Sequence, residues 1–288
     1  MTLLLEQTLN GLAAGSIYAL VTLGLALVYG ILRILHVAHA GIYALGAYAG
    51  LGFFHLTGSL PAAAAATMAA CALAGVLVER LVYFPLLRHP PFVPLIAGIA
   101  VFLSIEEILR LVAGPQIHVF PAELPLPALH LAGSVVVSPA LTAIYGVTAA
   151  VLAFLWFLTT RTELGLAMRA VAQDPVMAEA MGIPTHRIVS LTFAIGSAIA
   201  GLAGVLVGIY YNQVYPTMGA VPAYKTLALI VVGGLGSVPG AVAASLLLGM
   251  AETLLIGYAQ IPLPRDALAF LAMIAVLLWR SEGLLGSR

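Results

Sequence analysis

Residues 34–78 read ILHVAHAGIYALGAYAGLGFFHLTGSLPAAAAATMAACALAGVLV, 45 positions without a single Asp, Glu, Lys or Arg. A helix needs about 20 apolar residues to cross the roughly 30 Å hydrocarbon layer of a bilayer, so this stretch is long enough for two crossings. Gly58, Ser59 and Pro61 supply turn chemistry at its middle. The rest of the chain has the same character. It is 62% hydrophobic and 8% charged with mean hydropathy +1.12, against about 25% charged for an ordinary soluble domain. The expected fold class is all-α, a polytopic integral membrane protein, because a backbone in lipid must satisfy its hydrogen bonds within its own segment. A formal net charge of zero gives no reason to expect nucleic-acid binding. The single cysteine, Cys71, can form no intramolecular disulfide and reads as core packing. Glu6 stands where a signal peptide would carry basic residues, and the uncharged run 11–32 exceeds an h-region, so the first apolar segment is expected to stay as a span.

Further apolar segments lie at about 8–31, 92–112, 140–158 and 188–210, with a glycine-interrupted one at 226–251 and a short one at 267–279. This makes about eight hydrophobic segments, with a broken or re-entrant helix near 233–240. Five prolines between Pro115 and Pro139 mark that stretch as a loop. With the N-terminus outside, the loops after segments one, three and five hold Arg33, then Arg80 and Arg88, then Arg161, Arg169 and Arg187; the loops after segments two and four hold no Lys or Arg. Six against none is a positive-inside signal that places residues 160–187 in the cytoplasm. Beyond residue 210 the bias weakens, and a re-entrant 233–240 would return the end of the chain to that side.

The polar stretch 161–187 holds six of the 22 charged residues. Within it Asp174 suits an N-cap, Pro175 the first helical position, Gly182 a left-handed C′ position, and Pro184 forbids continuation. The pattern specifies a helix of about two turns with both ends fixed. So short a helix does not stand alone in water and must dock on something.

Ionisable groups inside apolar segments are candidates for a solute pathway, because each is costly in hydrocarbon and faces a cavity or a partner. Glu106 and Arg110, spaced i,i+4, read as a self-satisfied pair. Glu252 has no basic residue within a turn, and it faces either a cavity between subunits or the membrane interface. His36, His39 and Tyr43 are further pathway candidates; two histidines without a third ligand in range make a poor metal site, and no metal is expected. Gly233 and Gly234 mark either a helix break beside the pathway or close packing by small residues. The pairs Gly11/Gly15, Gly46/Gly50 and Gly204/Gly208 mark close helix contacts within the subunit or at a dimer seam. The only lysine, Lys225, precedes Thr226, but Tyr224 stands where a phosphate-binding loop requires glycine, so ATP hydrolysis by this chain is not expected.

Three motifs carry a resemblance. Residues 162–174, TELGLAMRAVAQD, with Met181-Gly182-Ile183, resemble the coupling loop of branched-chain amino acid ABC importer permeases of the high-affinity, LivH type. Residues 232–241, VGGLGSVPGA, are similar to that family's Gly-Gly-Leu-Gly-x-x-Pro-Gly segment, and Asn10-Gly11 to Leu20 is similar as well. One departure stands at residues 36–41: the family's Asn-Phe-Ala-His-Gly-Glu is here His-Val-Ala-His-Ala-Gly, which keeps Ala38 and His39 and replaces the asparagine and the glutamate. That change bears either on solute selection or only on the helix entry.

The resemblance implies a single transmembrane permease domain, 1–288, with a cytoplasmic coupling loop at about 160–187. The implied partners are two ABC ATPase subunits, a second permease subunit (the same or a different chain), an extracytoplasmic solute-binding protein and the lipid bilayer. No cofactor would be bound by this chain; ATP and Mg would sit on the ATPases. The implied location is the bacterial inner membrane, and the implied solutes are branched-chain amino acids or related small amino acids and amides. Arg169, Asp174, Pro175, Ala178, Met181 and Gly182 would form the coupling element, with Ala178 and Met181 packing into an ATPase groove. The alternative is a stand-alone secondary transporter or channel for a small polar solute. An intramembrane enzyme is disfavoured, because neither Gly-x-Ser-x-Gly nor His-Glu-x-x-His occurs.

Overall fold

An uncharged run from residue 7 to 32 can keep its backbone bonded in lipid only as a helix, and Thr2–Leu32 forms α1, 31 residues long. The computed structural model describes residues 2–122, 124, 127–130, 136–258, 264–280 and 282–286. The turn expected at residue 58 separates α2 (Ala38–Thr57) from α3 (Leu60–Val78), with Gly58 at φ +64°. A π-helical turn, Glu79–Tyr83, extends α3 into α4 (Phe84–Leu86). α5 (Phe92–Ala113) follows. In the proline-rich stretch, read from sequence as loop, β1 (Leu129–His130) and β2 (Val136–Val137) pair antiparallel. Then come α6 (Pro139–Arg161), α7 (Glu163–Gln173), α8 (Pro175–Ala180) and α9 (Thr185–Tyr211). A 3₁₀ turn, Pro216–Gly219, leads into α10 (Ala220–Gly233). α11 (Val238–Glu252) runs on as a π-helical turn, Thr253–Tyr258, and α12 (Arg265–Trp279) closes the series. Among the described residues six helices are long and apolar enough to cross a bilayer, and every one of the eight apolar segments holds a helix. The chain is a multi-pass membrane protein.

α1 and α9 form the centre, with 83% and 72% of their most apolar windows buried, whereas α3 and α5 reach 22% each and α6 28%, which leaves these three facing outward. Lipid gives no hydrophobic drive between helices, so close backbone approach must supply the contact. The small-residue pairs provide it within this subunit. Gly11 and Gly15 of α1 lie on Gly249 and the backbone of Leu246 and Met250 in α11; Gly46 and Gly50 of α2 lie on Gly201 and Val205 of α9; Gly204 packs on Tyr43 and Ala47. α2 begins level with Gly24 rather than at the end of α1, because residues 33–37 fold back into the bundle: the His39 ring sits on Gly24 and His36 is fully buried.

The break expected near 233–240 is present between α10 and α11. Gly234 and Gly236 take φ of +106° and +84°, which only glycine adopts without strain. Ser237 caps α11 by accepting from Gly240 N at 3.1 Å. The carbonyls freed at the end of α10 are not left to solvent or solute: Leu284 N donates to Val232 O at 2.8 Å and Leu285 N to Gly233 O at 3.0 Å. Gly236 lies against Gly30, so the break, residues 282–286 and the last turn of α1 share one end of the bundle.

Candidate functional site

A cavity of about 350 Å³ opens among α1, α2, α9, α10 and the start of α12, lined by Tyr18 and Val21, Tyr43, Tyr215, Lys225 and Asp266, among others. Tyr18 lies halfway along α1, so the cavity reaches the middle of the bundle. Its floor is an ion cluster. Lys225 and Glu252 are 3% and 2% exposed, and Lys225 Nζ stands 2.9 Å from Glu252 Oε1. Tyr18 Oη donates to Glu252 Oε2 at 2.7 Å and accepts from Lys225 Nζ at 3.1 Å. Asp266 Oδ1, on a carboxylate left 47% exposed, is 3.3 Å from the same ammonium. A charge in this position persists only when paired and hydrogen-bonded, and here each buried ion has both.

Of the residues read as pathway candidates, Tyr43 lines the cavity. Glu252, which has no basic residue within a turn and is expected from sequence to face a cavity between subunits or the membrane interface, is instead buried within this subunit in the supporting cluster, paired with Lys225, 27 positions away. A search within one helical turn could not find that partner. The signal was nevertheless there, since the only lysine and a carboxylate both fell in apolar segments and buried charges pair.

His36 and His39 lie elsewhere. His36 Nδ1 shares a hydrogen bond with Tyr83 Oη at 2.8 Å and its ring packs on Phe193. His39 Nε2 donates to the carbonyl of Val21 at 3.0 Å. Among the described residues no three potential ligands cluster to hold a metal. Gly233 and Gly234 pack on Gly240 and Gly286 and are not among the residues that line this cavity. Glu106 and Arg110 pair at 3.3 Å, as their spacing predicts, with Glu107 also on Arg110 at 2.8 Å. Glu79, which sequence reasoning passed over, is buried in the π-helical turn and accepts from Ser190 Oγ at 2.7 Å.

The second site is the polar stretch. Asp174 Oδ1 accepts from Val176 N at 2.9 Å and Met177 N at 3.0 Å, with Pro175 at the first helical position. Gly182, at φ +85°, ends α8: its N–H donates to Glu179 O at 2.9 Å and that of Ile183 to Ala178 O at 3.0 Å. These two bonds are the 5→2 and 6→1 pair of a Schellman cap. Ala178, expected in a partner's groove, is 4% exposed and packs with Tyr83, Met168, Val171, Ile188 and Phe193. Its small side chain seats α8 on its own bundle, and the outward side carries Val176, Met177 and Met181, exposed by 77%, 60% and 77%, together with the exposed Glu179 and Ala180. Arg169 turns back to donate to the carbonyl of Thr159 and holds α7 on α6. The result is a rigidly mounted helix with three apolar side chains outside.

A family model described as "Branched-chain amino acid transport system / permease component" matches residues 7–277. The high-affinity branched-chain amino acid transport system permease protein BraD of Pseudomonas aeruginosa is 35% identical over 98% of this chain and 95% of its own length. The corresponding LivH of Escherichia coli K12 is 32% identical over the same shares. The E. coli permease protein LivM is 29% identical over 43% of this chain and 29% of its own. With the matched region running from α1 into α12, the chain belongs to the family of permease components of branched-chain amino acid transport systems.

Proposed function

We propose that this chain is one of two permease subunits of an ATP-driven importer in a bacterial inner membrane, moving branched-chain amino acids handed over by an extracytoplasmic binding protein. Two ATPase subunits, carrying ATP and Mg, dock on the cytoplasmic end, and α8 is the element they push. The names of BraD and LivH support the solute class; similarity to both LivH and LivM is what two related permeases from one ancestor would leave. The observation that carries the coupling role is α8 itself: a capped helix, seated through Ala178, that presents Val176, Met177 and Met181 beside the exposed Glu179 at the end of the bundle where Arg33, Arg161 and Arg187 lie. Apolar side chains held outward on a rigid mount fit a protein groove better than water.

The test is the whole complex in proteoliposomes, with ATP inside and leucine-loaded binding protein outside. Replacing Met177 and Met181 together by Glu puts two charges on the docking face, and leucine uptake is expected to fall by about tenfold or more. Asp174→Ala removes the cap, at a cost of about 1 kcal/mol to α8, and a severalfold loss of binding-protein-stimulated ATP hydrolysis is expected. Wild-type stimulation in both variants would sink the coupling role. Leucine uptake without ATP would favour a stand-alone transporter instead.

A further inference from the structure

Among the described residues the ion cluster carries more negative than positive charge. Lys225 contacts two carboxylates, Glu252 and Asp266, so one ammonium faces two negative charges. Glu252 is sealed at 2% exposure, so the surplus falls on Asp266, which is 47% exposed and lines the cavity. Lys225 Nζ lies within 3.3 Å of oxygens of Glu252, Tyr18 and Asp266. The lysine is therefore committed to holding carboxylates and is not a free cation for an incoming anion.

A second observation comes from a different helix. Tyr43 is 3% exposed and lines the same cavity. A phenolic hydroxyl on the cavity wall is a hydrogen-bond donor that a ligand's carboxylate can use. The remaining wall is apolar, from Ile17, Val21, Met218 and Leu229.

We infer that this cavity holds the solute in transit as a zwitterion: the α-ammonium against Asp266, the carboxylate accepting from Tyr43 Oη, and the aliphatic side chain on the apolar wall. The class of ligand is an α-amino acid with a medium aliphatic side chain. The inference rests on the proposed function for the solute class, and it adds the place in this chain where that solute is read. Lys225 and Tyr18 are positioning residues, because they act by orienting the carboxylates.

The experiment is the amount of leucine moved per ATP hydrolysed by the complex in proteoliposomes at saturating loaded binding protein. Asp266→Asn keeps the shape and removes the charge, and the ratio is expected to fall about tenfold, the worth of one hydrogen bond to a charged group. Asp266→Glu restores the charge and is expected within about threefold of wild type; Tyr43→Phe is expected to lose about three- to tenfold. Co-purification of the ATPase subunits with each variant confirms assembly. A wild-type ratio in both Asp266→Asn and Tyr43→Phe overturns the inference and leaves the proposed function standing, and equal failure of Asn and Glu at position 266 overturns it as well. Absence of ATP-dependent leucine uptake by the wild-type complex overturns both.

Discussion

Lys225→Met destabilises this chain by about 3–5 kcal/mol, the cost of stripping a buried carboxylate of its cation. Glu252, 2% exposed, would keep only the hydroxyl of Tyr18 against its charge. The methionine nearly matches the lysine stem in volume, so the loss comes from the charge and not from a cavity. A second substitution separates the two causes. Adding Glu252→Gln to Lys225→Met removes the orphaned charge while leaving an amide for Tyr18, and most of the stability returns, because replacing both ions is far cheaper than replacing one. The measurement is the temperature at which the detergent-solubilised complex loses monodispersity after a fixed heating time. A double variant as fragile as the single one would show that the cluster is not a charge-compensated unit.

Gly46→Val separates α2 from α9. A Cβ at position 46 would lie 2.3 Å from Gly201 Cα and 2.7 Å from its carbonyl oxygen. Backbone atoms cannot rotate out of the way, so the helices themselves must move. Overpacking costs about 1–3 kcal/mol even where side chains give, and the upper end or beyond is expected here. Tyr43 shares this interface through Gly204, whose Cβ would lie 2.3 Å from the Tyr43 carbonyl, so the cavity wall moves with it. Gly52, on the same helix, has nothing within 4 Å of an added Cβ, and Gly52→Ala is expected to be neutral or stabilising by up to about 1 kcal/mol. Equal thermal stability of the Gly46→Val and Gly52→Ala complexes would contradict the packing account.

Local features were legible in the sequence because local physics fixes them. The absence of charge over residues 34–78 gave α2 and α3, Gly58 gave their turn, and Asp174, Pro175 and Gly182 gave α8 to within a residue. Partnerships across the fold were not legible. Nothing in spacing joins Lys225 to Glu252 and Asp266, because the contact depends on how α10, α11 and α12 lean together. Ala178 shows the same limit: the residues around it specify a helix, while which side faces inward is settled by Met168, Val171 and Ile188 on other elements. Glycine pairs were read as contacts without their partners, and only coordinates show that α1 meets α11.

The bonds from Leu284 and Leu285 to Val232 and Gly233 carry a consequence for biogenesis. Their donors leave the ribosome some fifty residues after their acceptors, with α11 and α12 in between. A nascent chain that has just formed α10 and α11 holds a bend that still lacks those two latches. Final closure of that bend must wait until α12 has been made and the residues behind it have folded back, so the order of synthesis dictates which part of this bundle matures last.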